Sequence, residues 1–342
     1  MTTKHSHQGR TETFARRPVD VPDGGPRPLP HSPYPRARDA ARHGLQPLPG
    51  SLPLVDFAGA QHYRSTGYST VVATNLTPAQ LLQMAWVIGA SFARREPQAR
   101  HLRPPKHPPA GLVEARHTDP FGTDSFGSWG DTATHLYWIA RLFALTDPTS
   151  PADAIEVNEE TLAQSVAILD GEGRVIGSAF NETMPPFDVE PPLREGDPFL
   201  DAVVPAWEPV YAALGAQDAE ALTALSERYP AFREAYGEGK VSHHLLIARS
   251  DDLPKGDTFE LVAASAERLR ALGFSYMVTE ATHQWTGAAF EALGGVRVHF
   301  APFQTEQAVP QSDEPLEGVT TSPNGFLSDK DSGGMFYVIR LA

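Results

Sequence analysis

The chain of 342 residues contains no cysteine. This excludes disulfides and thiolate metal ligands and permits a reducing compartment, so a cytoplasmic protein is expected. Long apolar runs are also missing. None approaches the ~20 residues of a membrane span, and the polar, basic N-terminus has no apolar signal core. No membrane partner is expected. Positive charge is scarce: 28 Lys and Arg stand against 42 Asp and Glu, for a formal net charge of -14. Such a balance argues against nucleic acid as the main partner. It reads first as solubility and only secondarily as a tilt toward cationic or neutral small substrates. There is no HExxH, no GxSxG and no complete P-loop pattern, which leaves hydrolase and NTPase chemistry without support.

What is present divides unevenly. Residues 1–50 hold nine prolines and eight Lys/Arg against four Asp/Glu, with no apolar period. This composition predicts an extended or disordered arm, in which His5 and His7 read as tail residues rather than metal ligands. The remainder, residues 51–342, is expected to form one domain. Ser69 to Ala73 reads as a strand. Thr77, Pro78 and Gln80 give a helix start with an N-cap, proline at N1 and glutamine at N3. Leu81, Met84, Ala85, Ile88 and Phe92 continue one apolar face, and Leu136, Ile139 and Phe143 mark another helix. Asp170 to Gly173 lies between two apolar strands, which is hairpin chemistry. An insertion of loops and helices is predicted at about 185–240, with Leu222, Leu225 and Tyr229 on one face.

The organising stretch runs from Val241 to Val298. Val241 to Ala248 is an apolar strand, followed by a loop carrying Pro254 and Gly256. Phe259, Val262, Ala266 and Leu269 then recur at helical spacing, closed by Gly273 as a C-cap. Ser275 to Glu280, Trp285 to Leu293 and Val296 to Phe300 read as strand, helix and strand, and Met335 to Leu341 as a late strand. A strand feeding a helix through a Gly-containing loop is an anion-binding device, because free N–H groups and the helix dipole face that loop.

In this order of elements the chain resembles the GNAT superfamily of N-acetyltransferases. The resemblance covers roughly residues 68–342 and is firmest over 168–180 and 245–298. It implies an α/β fold: a mixed, mostly antiparallel sheet with a splayed central pair of parallel strands and helices on both faces. Members insert acetyl-CoA between those strands, which here would be Leu245 to Ala248 and Tyr276 to Glu280. By resemblance, Ile247 and Ala248 would meet the pantetheine arm through their backbone. Lys255, Gly256, Asp257, Thr258 and Phe259 would hold the pyrophosphate. The family's R/Q-x-x-G-x-G/A motif falls on Leu253, Pro254, Lys255, Gly256, Asp257 and Thr258, where only the central glycine matches. Asp257 and Glu260 have capping-box spacing, so an ordinary capped helix is the alternative at this loop. A carboxylate beside a phosphate costs about 1 kcal/mol at 4 Å in water.

Glu280, at the end of the second splayed strand, is the candidate general base, since burial can raise a glutamate's pKa toward the useful range; the alternative is a surface glutamate closing a strand. His283 could share the task or cap the following helix. His243 and His244 fall on opposite faces of their strand, so one of them is expected to point inward, as a packed or hydrogen-bonded histidine rather than a metal ligand; no metal site is expected. The family often carries a tyrosine on the last helix that protonates the departing thiolate, and Phe290 stands in its place. The implied activity is acetyl transfer from acetyl-CoA to a small-molecule or peptide amine. The competing reading is a catalytically degenerate GNAT fold that binds a ligand or partner. The arm and the insertion are candidate homodimer surfaces.

Overall fold

The structure, a computed structural model, describes residues 68–95, 132–147, 155–184, 208–253, 258–282, 284–302 and 333–341. The expected arm at 1–50 and the first part of the insertion lie outside these, as do Lys255, Gly256, Asp257 and His283.

The described chain begins with β1 (Ser69–Val72) and a short turn of 3-10 helix at Ala73–Asn75. Helix α1 (Pro78–Arg95) starts at the predicted cap. The Thr77 backbone N–H donates to Gln80 Oε1 at 2.9 Å and the Gln80 N–H donates to Thr77 Oγ1 at 3.3 Å, so two otherwise orphaned donors are satisfied reciprocally. Helix α2 (Thr132–Ala144) lies against α1. Gly89 permits this approach: a Cβ there would stand 2.6 Å from the Ala133 carbonyl and 2.7 Å from the Tyr137 N. The short helix α3 (Glu159–Gln164), capped by Asn158, leads into β2 (Val166–Leu169) and β3 (Val175–Thr183). The hairpin between them closes as the Asp-Gly signal predicts, with Gly173 at φ 79° and the Asp170 carboxylate accepting from the Glu172 and Arg174 N–H groups.

Within the predicted insertion, α4 (Glu208–Arg228) and α5 (Pro230–Gly237) precede β4 (Val241–Arg249). Then come α6 (Thr258–Ala271), β5 (Tyr276–Ala281), α7 (Gln284–Ala292), β6 (Val296–Pro302) and β7 (Gly333–Arg340). The strands form one seven-stranded sheet in the order β1-β2-β3-β4-β5-β7-β6. Every neighbouring pair is antiparallel except β4 and β5.

Strand period sorts the side chains onto two covered faces. On one face, Phe180, Leu245, Leu246 and Ala248 pack with α1 and α2. Beside them, Tyr276, Val278, Phe336 and Val338 pack with Leu222 and Leu225 of α4 and Phe232 of α5. On the other face, Ala179, Ile247, Met277, Tyr337 and Ile339 pack with Phe259, Val262 and Leu269 of α6 and Phe290 of α7. The architecture is thus the expected α/β fold, a mostly antiparallel sheet with one parallel pair and helices on both faces.

Candidate active site

The site begins with a backbone irregularity. Phe180 pairs with Leu246 and Asn181 with His244, so Leu245 is an extra residue in β4. A bulge of this kind bends the strand and increases its twist; here it also sets Leu245 and Leu246 in the same cluster. The parallel ladder ends at the same level. It runs from Val241↔Tyr276 to His243↔Val278 and goes no further. The next carbonyl, that of His244, accepts from the Thr279 hydroxyl at 2.8 Å. Beyond this point β4 and β5 diverge, and the backbone of Ile247 and Ala248 has no ladder partner in β5.

At the base of the divergence lies a buried polar cluster. His243 Nε2 and Glu280 Oε2 are 2.7 Å apart, and both side chains are fully enclosed, at 0% exposure. The alternative of a surface glutamate closing a strand is thereby overturned. Its strand is internal, with β7 paired on one side and helices on both faces. Glu182 of β3 stands opposite His243 in register and is also buried. Asp218 of α4 brings a further carboxylate: ligand atoms of Asp218, His243 and Glu280 all lie within 4.8 Å of one another. Removing one member of such a buried charged set typically costs 3–5 kcal/mol.

Asp218 and His243 were not singled out as functional from sequence. A signal for Asp218 existed. Leu214, Gln217, Asp218, Ala221, Leu222 and Leu225 are all buried and recur at the spacings of one helical stripe. Two polar residues interrupt that stripe where apolar ones belong. His243 carried no comparable signal, because a histidine in an apolar strand reads as packing.

The next residue, His244, faces the opposite way. Its Nδ1 lies 2.7 Å from Asn181 Oδ1. Asn181 Nδ2 donates to the Gln164 carbonyl and to Ser265 Oγ, so its Oδ1 is an acceptor and His244 Nδ1 carries the hydrogen. Burial, with the neighbouring His243 as a smaller cause, pulls the His244 pKa down to about 3. The ring is therefore neutral at physiological pH. It sits 5.6 Å, centroid to centroid, from Phe290. Phe290 in turn lies 6.1 Å from Tyr337, whose hydroxyl donates to Glu291 Oε1 at 2.8 Å.

The phosphate-binding expectations land differently. Thr258 begins α6 half-buried, and Phe259 is buried in the core beneath it. Glu260 accepts from Thr70 Oγ1 at 2.8 Å, tying the first turn of α6 to β1. Arg249 donates to the Leu253 carbonyl at 2.7 Å and to that of Ser250 at 3.2 Å, so it braces its own loop. Asp251 pairs with Arg94. A groove of about 200 Å³ beside the end of β4 includes Arg94, Arg174 and Arg249; Arg174 in it is paired to Asp170 and Glu172. This groove does not reach the His243–Glu280 pair.

Strand order, bulge and diverging parallel pair together match the α/β architecture expected from the sequence, a mostly antiparallel sheet with one parallel pair and helices on both faces. No family model matches the sequence, and neither does any curated protein. Solved structures similar to it include an insect putative arylalkylamine N-acetyltransferase 7 from Aedes aegypti, at 12% identity and TM-score 0.48, covering 80% of this chain and 88% of that one. The C-terminal condensation domain of Ebony in complex with beta-alanyl-dopamine is similar at 13% identity and TM-score 0.46, over 80% and 98%. A GNAT superfamily phosphinothricin acetyltransferase from Sinorhizobium meliloti in complex with AcCoA is similar at 14% identity and TM-score 0.27, over 52% and 60%. At these identities and TM-scores the likenesses carry no argument about activity. Among the described residues, no helix is long and apolar enough to cross a membrane.

Proposed function

We propose that this protein transfers an acetyl group from acetyl-CoA to a small-molecule or peptide amine, in the cytoplasm. The observation that supports this best is the enclosed His243–Glu280 pair at the level where β4 and β5 part. An amine reaches such a site largely as its ammonium and attacks only after losing a proton. Glu280 is the base that takes it, with His243 holding the carboxylate in place and sharing the proton. The backbone of Ile247 and Ala248 holds the pantetheine, and the start of α6 at Thr258 and Phe259, with Lys255, Gly256 and Asp257 before it, faces the pyrophosphate. Acetyl-CoA supplies the activated acyl group. His283, next to α7, is the second candidate for proton handling. One domain over 51–342, with its insertion at about 185–240 and an arm at 1–50, completes this reading.

A second reading, a GNAT fold that binds without catalysis, is favoured by Phe290. It places a phenyl ring, 0% exposed, where the family's acid would be. A thiolate of unperturbed pKa about 8.5 leaves tolerably well at neutral pH without an acid, so this ring slows transfer rather than forbidding it.

Calorimetric titration with acetyl-CoA and CoA, followed by steady-state rates on a panel of amines, tests the proposal. Binding with turnover is expected. Glu280→Gln should lower the rate by roughly 100- to 10,000-fold, and Phe290→Tyr should leave it unchanged or raise it. Absence of heat at millimolar acetyl-CoA would overturn both cofactor and activity. Binding without turnover on any amine would establish the second reading.

A further inference from the structure

One buried imidazole nitrogen in this structure lacks a donor. His244 is 1% exposed, and its Nε2 has no hydrogen-bond partner among the described residues. The ring cannot turn to find one. Its Nδ1 is held 2.7 Å from Asn181 Oδ1. Asn181 is fixed in turn, because its Nδ2 donates to the Gln164 carbonyl at 2.9 Å and to Ser265 Oγ at 3.1 Å. A buried serine or threonine hydroxyl can rotate toward a neighbouring carbonyl; this nitrogen has its lone pair fixed. With the hydrogen on Nδ1, Nε2 accepts and cannot donate. Leaving a buried acceptor unmade is costly, in surroundings where the apolar ring of Phe290 packs without that penalty.

The lone pair also has a direction. Asn181 lies on β3, opposite His244 in register, so Nδ1 faces the β3 side of β4. The two ring nitrogens point to nearly opposite sides of the imidazole, and Nε2 therefore faces the β5 side. That is the side from which β5 departs: the parallel ladder stops at His243↔Val278, one residue earlier, and the bulge at Leu245 follows directly. An unpaired acceptor is thus aimed across the base of the β4–β5 opening, on the face covered by α7. The His243–Glu280 pair occupies the other face at the same level.

We infer that His244 Nε2 is the hydrogen-bond acceptor for the thiol of free CoA, and that it makes this site prefer the thiol to the thioester. The inference rests on the acyl-transfer reading, in which the pyrophosphate faces the start of α6 and the pantetheine follows the backbone of Ile247 and Ala248. The sulfur end, farthest from the phosphates, then comes to the base of the opening, at the level of His244. A thioester has no hydrogen on sulfur and leaves Nε2 unpaired; a thiol has one and pairs it. The acceptor amine enters as an ammonium and loses two protons. One leaves through the Glu280–His243 pair to solvent. The N–C bond forms at the thioester carbonyl, the C–S bond breaks, and sulfur takes the electron pair and then the second proton. The resulting S–H donates to Nε2. Hydrogen bonding of this kind stabilises the protonated sulfur, so His244 acts on the product. Free CoA thereby competes with the acyl donor, and the rate responds to the balance of the two.

The test uses the full chain, and its first readout is made on the wild type. Nitrogen NMR of protein with labelled histidine follows the His244 Nε2 resonance, assigned by its loss in His244→Phe. An unprotonated ring nitrogen moves upfield when it accepts a hydrogen bond. CoA should move it; S-methyl-CoA and acetyl-CoA, which bring no donor to sulfur, should not. In calorimetry CoA should bind about 2- to 10-fold more tightly than S-methyl-CoA or desulfo-CoA, the range for one neutral hydrogen bond. His244→Phe should erase that preference and keep binding. If His244→Phe does not fold, His244→Phe with Asn181→Leu replaces it, since removing both partners leaves neither unpaired. A merely structural role for His244 would weaken all three ligands alike and leave the resonance unmoved by the thiol. The inference is overturned by an Nε2 that is protonated or hydrogen-bonded in the free protein, or that responds to S-methyl-CoA as it does to CoA. It is equally overturned by an Nε2 that responds to an amine and not to CoA, or by an unaltered thiol preference in the variant. CoA binding with no turnover on any amine removes the acyl-transfer reading alone, and the thiol preference is still scored; no binding of CoA overturns both.

Discussion

Glu291 offers a sharp test of how burial governs ionisation in this fold. Its carboxylate lies under α7 with 6% of the residue exposed and accepts the Tyr337 hydroxyl at 2.8 Å. Burial pushes its pKa up from 4.5 to about 7, outweighing the bond from Tyr337 and the charge of Arg297, which both pull it down. The neutral acid is thus the form that the folded protein prefers. Between pH 4.5 and 7 the unfolded chain has released this proton and the folded chain still holds it. Stability from this group is therefore full below pH 4.5 and is lost as pH rises through 7. At 1.36 kcal/mol per unit, the loss is about 3 kcal/mol.

Glu291→Gln isolates that contribution. The amide oxygen still accepts from Tyr337, and the side chain no longer ionises. Urea denaturation of both proteins at pH 4.5, 6, 7 and 8 measures the difference, in which all other titrations cancel. The variant should match the wild type at the acid end and exceed it by about 3 kcal/mol at pH 8. A difference that does not change with pH would refute the argument, as would a wild type that gains on the variant as pH rises. Either result would mean that the carboxylate ionises in place, with Arg297 rather than burial setting its state.

Two further outcomes follow from close backbone approaches. Gly89→Ala drives a methyl group to within 2.7 Å of backbone atoms of α2, and the helix pair must separate; a loss of about 1–3 kcal/mol is expected in thermal or urea unfolding. Gly334→Ala meets the Gln217 side chain instead, which can be shortened, so Gly334→Ala should lower the unfolding midpoint while Gly334→Ala with Gln217→Ala recovers most of it.

Local chemistry was the legible part of this fold. The cap at Thr77 and Gln80, the Asp170 hairpin and the glycine after α6 each involve residues a few positions apart, and each forms as written. Helix α3 escaped because six residues are too few to show a period, although Asn158 with its side chain bonded to the Thr161 N–H marks its start. The placement of β7 between β5 and β6 was not readable, since nothing local in Gly333–Arg340 names its partners. Both His243 and His244 are enclosed, whereas strand alternation suggested that one would point inward. Alternation separates two faces, but α4 covers the face that a bare sheet would leave to water. For the same reason Glu280 could be read as a surface residue until the insertion was seen lying over it.

The two adjacent histidines show what the bulge accomplishes. A regular strand would continue its alternation past the point where β5 departs. The extra residue at Leu245 fixes the break just after His244, so consecutive imidazoles flank the base of the opening from opposite faces. His243 is paired to Glu280, with Asp218 close by and Glu182 opposite it in register. His244 lies among Asn181, Ser265 and Phe290, where burial keeps it neutral with its hydrogen fixed on Nδ1. Under the acyl-transfer reading this separates two incompatible demands. The amine's proton is drawn toward the α4 face, into negative charge, while the neutral, aromatic-lined face under α7 receives the thioester. Glu291 also lies under α7, and the burial that raises its pKa to about 7 limits the carboxylate charge that would oppose a developing thiolate by the same Coulomb energy that helps the amine on the first face. The insertion helix, in covering the first of these faces, brings Asp218 close to the His243–Glu280 pair, so the two sides of the opening differ in charge.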